Sequence, residues 1–302
     1  MSEKIENQPV HLPLLAEKRI SFSIKRDDLI HPVISGNKFR KLKYNLIEAK
    51  IRGCDTLLTF GGAYSNHIAA TAYAGKMQGL KTIGVIRGEE LSLQWEANPT
   101  LKMASKQGMR FHFVSREDYC FKESPFALRK LREKFGAFYL LPEGGTNALA
   151  VKGCEEILSP SDATFDIICC AVGTGGTLAG IRNSAPEKQP ILGFSALKGD
   201  FLREDIRKFA NKGQWDLISD YHFGGYAKVT SELIDFVNGF KDTTGIPLDP
   251  IYTGKMVYGI LDLIKKDCFL PGTKILAIHT GGLQGIAGMN RNLKRKNLPV
   301  LR

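Results

Sequence analysis

Cysteine is scarce in this sequence, and its spacing does not indicate a redox pair or a metal site. The six cysteines form no CxxC pair and no spacing typical of a metal site, and Cys169 and Cys170 fall within the apolar run DIICCAV. Thiols in such a run are more often small buried side chains in a reducing compartment than disulfides or zinc ligands. We therefore expect buried thiols, no disulfide framework and no metal site.

Long hydrophobic runs are also missing. No stretch of about 18 apolar residues occurs, which is roughly the length that a helix needs to cross a bilayer. Residues 1–15 lack the basic-then-apolar order of a secretory signal peptide. We therefore expect no membrane-spanning segment and a cytoplasmic location. The chain has 302 residues, of which 43% are hydrophobic, enough for one large or two closely joined domains.

Acidic residues are fewer than basic ones, and the formal net charge is +11. An excess of positive charge can favour binding to nucleic acid, to an anionic membrane or to small anionic ligands. The basic residues are scattered, with modest clusters only in NKFRKLK (37–43) and in NRNLKRKNLPVLR (290–302), which is typical of a solvated helix end. Because no basic stripe with interleaved aromatics and no helix-turn-helix pattern is present, we expect no nucleic-acid partner.

Apolar runs, most of them ending at glycine, alternate with helix-like stretches along the chain. The apolar runs are typical of buried parallel strands, because they are hydrophobic on both faces: DTLLTFGG, KTIGVIRG, RFHFVS, AFYLLPEGG, DIICCAVGTGG, PILGFSAL and KILAIHTGG. The stretches between them predict helices, several closed by glycine: SNHIAATAYAGKMQG, NPTLKMASKQG, SPFALRKLREKFG, NALAVKGCEEILS and GTLAGIRNSAP. This alternation predicts an α/β fold.

Four of the predicted strands end in a Gly-Gly pair, within TFGGAYSN, PEGGTNAL, VGTGGTLAG and IHTGGLQG. Ligands of open α/β sheets lie beyond the carboxyl ends of the strands, where glycine lets the backbone approach the ligand closely. A simple turn from strand to helix could explain any one of these pairs. Together, the four loops predict a single shared site.

The loop at residues 173–177, GTGGT, is the strongest local signal for a bound anion. It joins an apolar strand to a helix, so free N–H groups and the positive end of the helix dipole face one point. Thr174 and Thr177 could add hydroxyl donors. A Walker A loop would carry a lysine here, and the dinucleotide fingerprint would have glycine in place of Leu178. The loop therefore favours a phosphate group without identifying the molecule that carries it.

The segment YSNHIAATA predicts a helix start at which Ser65 or Asn66 is the cap. The N–H groups of such a start could also hold the carboxylate of an amino acid. His67 could act as an acid or base, although a structural hydrogen bond is the more common use of a lone histidine.

Two other segments supply a lysine and an aromatic ring. SGNKFRKLKYNL, residues 35–46, resembles a binding loop more than a helix face, and it places Lys38 two residues after Gly36. In IYTGK, Tyr252 could stack on a flat ligand or be an ordinary buried tyrosine. A phosphate loop, a lysine and an aromatic ring together suit pyridoxal 5′-phosphate, which needs an amine, an anion cradle and a partner for its ring nitrogen.

These motifs resemble those of the D-cysteine desulfhydrase / 1-aminocyclopropane-1-carboxylate (ACC) deaminase family of pyridoxal-phosphate enzymes. The likeness covers nearly the whole chain, in order, through KRDDLIHPVISGNKFRKLKY, TFGGAYSNHIAATA, PEGGTNALAVKG, AVGTGGTLAGI, LDPIYTGKMVYG and HTGG. The resemblance implies the tryptophan-synthase-β-like fold of type II, with two open, twisted, mostly parallel sheets and flanking helices. It also implies a homodimer, a large domain over 1–47 and 149–302, and a small inserted domain over 48–148.

The resemblance implies a role for each motif residue. Lys38 would form the Schiff base with the cofactor, Asn66 would bond its phenolic oxygen, and Thr280 would face its ring nitrogen. The cofactor phosphate would lie on Gly173, Thr174, Gly175, Gly176 and Thr177. Catalysis would involve Lys38, Ser65 and Tyr252, the last packed against the cofactor. The substrate would meet Ser65, Asn66, His67 and Thr253.

The implied reaction begins when Lys38, or a base relayed through Ser65, removes a proton from the substrate. The amine must be neutral for this step, and we expect partial burial and the nearby Arg40 and Lys41 to lower its pKa.

Position 253 separates two reactions within the family. ACC deaminases resemble YEGK here, whereas this chain has YTGK. A carboxylate near the ring nitrogen would strengthen the electron withdrawal that opens a cyclopropane, while the neutral Thr253 suits loss of a thiolate. We therefore expect a D-cysteine desulfhydrase acting on a small amino acid. ACC deaminase or another β-eliminating lyase, such as a D-serine dehydratase, is the alternative, and Tyr64, where better-known members carry glutamine, could alter the preference.

Overall fold

Strands and helices alternate along most of the chain. The computed structural model describes residues 5–199, 202–210 and 212–302. The strands in this part of the chain are β1 (Asn7–Val10), β2 (Ser21–Lys25), β3 (Thr56–Gly61), β4 (Lys81–Arg87), β5 (Met109–Val114), β6 (Tyr139–Leu141), β7 (Ile167–Val172), β8 (Ile191–Ser195), β9 (Trp215–Ile218) and β10 (Lys274–Ile278).

The strands form two separate sheets. One sheet has six strands in the order β1-β2-β10-β7-β8-β9 and draws on both ends of the chain, and the other has four in the order β5-β4-β3-β6. Only the pairing of β1 with β2 is antiparallel among the strand pairs of the described residues. The predicted α/β fold with two mostly parallel sheets is therefore confirmed. The division into domains at residues 47 and 148 stays a prediction.

Helices cover these sheets. They are α1 (Pro13–Lys18), α2 (Asn37–Ile51), α3 (Asn66–Met77), α4 (Pro99–Lys106), α5 (Arg116–Cys120), α6 (Pro125–Phe135), α7 (Ala148–Cys154), α8 (Gly176–Ser184), α9 (Leu202–Arg207), α10 (Ser231–Thr244), α11 (Thr253–Lys265) and α12 (Gly285–Arg295). The five predicted helices correspond to α3, α4, α6, α7 and α8. In the described part of the chain, none of the helices is both long and apolar enough to cross a membrane.

Helix α7 is shorter than the sequence predicts. It ends at Cys154, whereas the predicted helix continues to Ser159. A separate 3-10 turn begins at Pro160, where the side chains of Ser159 and Asp162 form a capping box. The helix ends before residue 159 because Pro160 disfavours helical backbone at the residue before it and because the capping box begins a separate turn.

The segment around Lys38 is helical, so the prediction of a binding loop there is wrong. Gly36 stands immediately before α2 with φ of 58°, a conformation that favours glycine. Phe39, Leu42 and Leu46 recur at helical spacing and pack on one side of α2 in a common apolar cluster. The cluster holds α2 in place, so Lys38 lies in a rigid first turn rather than in a loop.

Burial of the core strands agrees with their continuous apolar runs. All six residues of β3 are buried, and so are the last five of β7. Cys154, Cys169 and Cys170 are buried within these layers, as the sequence predicts. The same expectation is wrong for Cys120 and Cys268, which are exposed. Both lie near element ends outside the central apolar runs.

Helix α2 is fixed against α7 by a direct backbone contact. A Cβ atom added at Gly153 of α7 would lie 2.0 Å from the carbonyl oxygen of Arg40 in α2. Real Cβ atoms do not approach backbone oxygen that closely, so only glycine permits this spacing. The contact therefore sets the position of the helix that carries Lys38.

We expect Gly153→Ala to destabilise the protein by about 2 kcal/mol, because backbone atoms must move to admit the methyl group. Chemical denaturation followed by circular dichroism measures this loss. Gly239→Ala is the matched control, since Gly239 lies in α10 with open space around it. That control should be neutral or stabilising by roughly 0.5–1 kcal/mol. Equal stability of the two variants would contradict the packing argument.

Candidate active site

One cavity lies where the carboxyl ends of β3, β6, β7 and β10 come together. Its walls include residues from all four Gly-Gly loops, among them Asn66, Gly144, Gly173 and Gly281. The space amounts to about 660 Å³, part of it open to solvent. The prediction that these loops share a single site is confirmed.

The loop that precedes α2 is clasped against the loop that follows β10. A Cβ atom at Gly36 would lie 2.0 Å from the carbonyl oxygen of Thr280, and one at Gly281 would lie 2.3 Å from Oγ of Ser35. The N–H of Asn37 donates to the same Thr280 oxygen at 3.3 Å. Residues from opposite ends of the chain are thereby held side by side at the cavity.

Lys38 and Lys41 direct their amines to a single acceptor. Lys38 Nζ donates to the carbonyl oxygen of Gly144 at 3.0 Å, and Lys41 Nζ donates to it at 3.3 Å. Burial lowers the pKa of Lys38 well below its usual value, and the charge of Lys41 lowers it further. Burial also lowers the pKa of Lys41. Lys38 is therefore the amine in the cavity that loses its proton most readily.

The other cations of α2 are engaged elsewhere. Arg40 donates to Asp27 Oδ1 at 2.9 Å, and the exposed Lys43 pairs with Glu156 at 2.7 Å. The causes that lower the pKa of Lys38 include Lys41 but not Arg40. Of the two neighbouring cations expected to lower the pKa of Lys38, Lys41 therefore does so, whereas Arg40 is paired with Asp27.

The glycine loop leads directly into the first turn of α8. Gly175 stands before this helix with φ of 79°, and no side chain caps the helix. A Cβ atom at Gly173 would lie 3.0 Å from Cε1 of Tyr252, so the tyrosine ring rests against the loop. Gly176 lies behind the cavity wall, where an added Cβ would meet Thr146 at 2.8 Å. The loop thus leaves the N–H groups of the first turn available to an anion.

Hydroxyl and amide groups surround this helix start. Thr174 Oγ1 lies 2.6 Å from Thr146 Oγ1 and 3.3 Å from the amine of Lys41. Lys41 also donates to Thr146 Oγ1 at 2.9 Å. On the opposite side, Asn37 Nδ2 donates to Thr177 Oγ1 at 2.8 Å. A cation and two hydroxyls therefore stand on one flank of the loop.

The start of α3 forms another wall. Ser65 is the helix cap, and its Oγ accepts from the N–H of Ile68 at 3.3 Å. Asn66 lines the cavity, and added Cβ atoms at Gly282 and Gly285 would lie 3.0 and 3.4 Å from its amide group. Ser65 is partly exposed next to the cavity without lining it.

His67 lies behind the cavity wall. It is 1% exposed, and its two ring nitrogens have no hydrogen-bond partner among the described residues. Burial lowers its pKa well below the usual value, and the charges of Lys38 and Lys41 act in the same direction. The imidazole is therefore neutral, and an added Cβ at Gly145 would lie only 2.7 Å from its Cε1.

Tyr252 lines the cavity at the residue before α11. Its ring meets that of Tyr226 edge to face, with 6.3 Å between the two ring centroids. Burial, and then the contact with Tyr226, raises the pKa of Tyr252 well above its usual value. The phenol consequently keeps its proton at neutral pH and can serve as a hydrogen-bond donor.

Thr253 points away from the cavity. It is fully buried, and its Oγ1 donates to Asp249 Oδ2 at 2.7 Å. The same carboxylate accepts from the N–H groups of Ile251, Tyr252 and Thr253, so it caps the start of α11. The structure therefore does not bring Thr253 to the other predicted site residues.

Tyr64 also lies away from the cavity. Its ring packs against α12, where a Cβ atom at Gly288 would lie 2.5 Å from Cδ1 of the ring. Tyr64 is absent from the cavity wall. It contacts the far helix instead of filling space beside the cavity.

Comparison with known proteins identifies the family. The sequence model of pyridoxal-phosphate dependent enzymes matches residues 1–281, nearly the whole chain. This chain belongs to that family. Its cofactor is pyridoxal 5′-phosphate, as the sequence motifs predict.

Individual relatives are similar over most of their length. A Thermotoga maritima protein provisionally named ACC deaminase is 34% identical, over 93% of this chain and 95% of its own. A mitochondrial bifunctional D-cysteine desulfhydrase/ACC deaminase of Arabidopsis thaliana is 35% identical, over 87% of this chain and 72% of its own. These values confirm the predicted resemblance.

Solved structures agree with the fold. The crystal structure of an ACC deaminase homologue superimposes with a TM-score of 0.78 and 30% identity, over 94% of this chain and 90% of that one. An L-serine ammonia-lyase from Rhizomucor miehei superimposes with a TM-score of 0.64 and 14% identity, over 91% of this chain and 93% of its own. The second comparison supports the fold alone.

The cavity fits the cofactor of this pyridoxal-phosphate enzyme. Lys38 offers an amine of lowered pKa to an aldehyde, and the uncapped start of α8 offers N–H groups to a phosphate. Lys41 and Thr174 add a cation and a hydroxyl at that end of the cavity. Thr280 and Asn66 line other parts of the wall, where they could bond the ring.

Three residues were not predicted from the sequence as binding residues of the site. Lys41 lines the cavity, whereas Thr146 and Tyr226 contact the lining residues Thr174 and Tyr252. Lys41 follows Lys38 by three residues, which places both side chains on one face of a helix. This relation was not evident as long as the segment was interpreted as a loop. Tyr226 follows a Gly-Gly pair, like the other cavity loops, but no apolar strand precedes that pair. Thr146 follows the predicted PEGG loop directly.

We expect Lys41→Met to raise the pKa of Lys38, because a like charge near the shared acceptor is removed. The fraction of neutral amine at a given pH then falls, so reaction of Lys38 with a limiting amine reagent shifts to higher pH. Peptide mapping of apo-protein labelled across a pH series measures the shift. Lys43→Met, on the same helix but paired with Glu156, should leave the profile unchanged. An unaltered profile in Lys41→Met would contradict the electrostatic account.

Proposed function

We propose that this enzyme is a D-cysteine desulfhydrase, which converts D-cysteine and water to pyruvate, sulfide and ammonia. The observation that carries the proposal is the chemistry of the cavity wall. Its described lining residues include lysines, hydroxyls, amides and a tyrosine, but no carboxylate. Asp249 lies close to the wall, with its Cγ 3.3 Å from a Cβ atom added at the lining Gly282, but its oxygens cap α11 and bond Thr253.

The lack of a lining carboxylate favours elimination over ring opening. When bound, pyridoxal 5′-phosphate supplies the electron sink that weakens the bond between the substrate Cα and its hydrogen. The hydroxyl of Thr280 is neutral, so it would stabilise a positive ring nitrogen less than a carboxylate does. Loss of a thiolate from the adjacent carbon needs less stabilisation of the carbanion than opening of a cyclopropane.

Different groups of the cavity would bind the substrate and transfer its protons. Lys38, whose pKa is lowered by burial and by Lys41, would accept the Cα proton. Asn66 and the first turn of α3, next to Ser65, would hold the substrate carboxylate through N–H groups. Tyr252, whose pKa is raised by burial and by Tyr226, keeps its proton and could donate a hydrogen bond to the departing sulfur.

The second candidate is ACC deaminase. It is supported by the names of the relatives, one of which carries both activities in a single protein at 35% identity. A chain of this family can therefore combine ring opening with elimination. The wall chemistry favours D-cysteine, whereas the relatives leave ACC as a second substrate.

We expect the purified holoenzyme to release sulfide and pyruvate from D-cysteine faster than it releases 2-oxobutanoate from ACC. Methylene-blue detection of sulfide and a lactate dehydrogenase assay of each oxoacid provide the measurements, with L-cysteine and D-serine as comparison substrates. Exclusive turnover of ACC would overturn the argument from the wall chemistry.

We expect Lys38→Ala to abolish turnover of every substrate. Among the described lining residues, Lys41 is the other amine of lowered pKa, and its hydrogen bonds to Thr146 and Gly144 keep it from replacing Lys38. The visible absorbance of the bound cofactor should also shift, since its covalent partner is lost. Activity retained at the wild-type level would remove Lys38 from its proposed role.

A further inference from the structure

Residues 221–228 form a segment without helix or strand, which we call the strap. It lies beside the cavity, because the ring of its Tyr226 contacts that of Tyr252 in the cavity wall. Its middle adopts an unusual backbone, with positive φ at residues 223, 224, 225 and 227. Two of these residues, Phe223 and Ala227, carry side chains, for which a positive φ is unfavourable. The strap therefore needs contacts outside itself to keep this shape.

Lys255 provides such a contact from beneath the strap. It lies in the first turn of α11 and is 2% exposed. Its Nζ donates to the carbonyl oxygens of His222 and Gly225, each at 2.8 Å. These two oxygens also accept the internal bonds of the strap, from the N–H groups of Gly225 and Lys228. One buried amine thus joins both turns of the strap.

The use of a lysine at this buried position requires an explanation. Burial lowers the pKa of Lys255 to about 8, and Asp249 opposes the change only in part. An apolar side chain would avoid the cost of burying a charge. It would, however, leave two inward-facing carbonyl oxygens without a strong donor. The ammonium group of Lys255 therefore serves to bond the two carbonyl groups of the strap and does not contribute to packing of the apolar core.

The strap matters because Tyr226 follows Gly225 directly. The ring of Tyr226 contacts the ring of Tyr252, which lines the cavity, with 6.3 Å between the two ring centroids. A continuous series of contacts consequently runs from Lys255 through the Gly225 carbonyl to Tyr226 and then to Tyr252.

We propose that Lys255 is a positioning residue: by bonding the carbonyl groups of His222 and Gly225, it holds Tyr226 against Tyr252 at the active site. The side chain touches neither cofactor nor substrate and acts through the strap. The inference rests on the proposed reaction only in the activity measurement, since the conformation of the strap can be followed separately.

The first experiment follows the strap itself. In Lys255→Met, hydrogen exchange at fixed pH should accelerate by about tenfold or more for the amides of Gly225 and Lys228, because their acceptors lose a charged partner. Mass spectrometry of peptides covering 221–228 provides the measurement, with Lys265→Met, an exposed lysine of the same helix, as the matched control. Unchanged exchange would overturn the proposal. Should Lys255→Met fail to fold, Lys255→Gln retains one N–H donor and serves in its place.

The second experiment tests whether Lys255 acts through Tyr226. We expect Lys255→Met to keep its uptake of pyridoxal 5′-phosphate while kcat/KM falls by about tenfold. In a Tyr226→Ala background, which lacks the ring contact with Tyr252, the same change should cause less than about a twofold further loss. An equal loss in both backgrounds, or a parallel loss of cofactor binding, would show a general structural effect and overturn the proposal. The assay uses whichever amino acid the wild-type enzyme consumes. Failure on D-cysteine alone therefore refutes the proposed function and leaves the exchange result valid.

Discussion

The carbonyl oxygen of Gly144 accepts hydrogen bonds from two lysine amines, and the chemistry of the cavity depends on this arrangement. Two cations that share one acceptor in a desolvated space cannot both keep their protons easily. Lys41 has further partners in Thr146 and Thr174, beside the glycine loop. Lys38 has no such support, so it is the amine that becomes neutral. One residue can then bond an aldehyde while the other attracts a phosphate.

Backbone contacts make this electrostatic arrangement possible. Gly144 follows a strand of the four-stranded sheet, whereas the clasp of Gly36 on Thr280 ties α2 to the six-stranded sheet. Gly153 lets α7 approach α2 at its Arg40 carbonyl. Three glycines thus bring both sheets to the same pair of lysines. A side chain at any of these positions would move an amine away from its acceptor.

The sequence predicts much of this architecture, and its failures have physical causes. Strands β3 to β8 and β10 were predictable from their apolar runs. Three strands were missed because they are short and carry polar residues: β1 (NQPV) and β9 (WDLI) at the sheet edges, and β2 (SFSIK) inside the sheet. Helix α2 was missed because a cluster of cations obscured its apolar spacing. The sequence does not predict that the Thr253 side chain turns away from the cavity. That orientation depends on its hydrogen bond to Asp249, and the sequence does not show which groups a carboxylate will bond. Tyr226 and Lys255 are linked only through the folded strap.

The central claim is that Lys38, and not its neighbour Lys41, is the amine that holds the cofactor. Borohydride reduction of the holoenzyme fixes the covalent link, and proteolysis with tandem mass spectrometry then locates the pyridoxyl phosphate group. The account predicts this group on Lys38 alone. Its appearance on Lys41, or on no lysine of the cavity, would contradict the assignment and the electrostatic argument on which it depends.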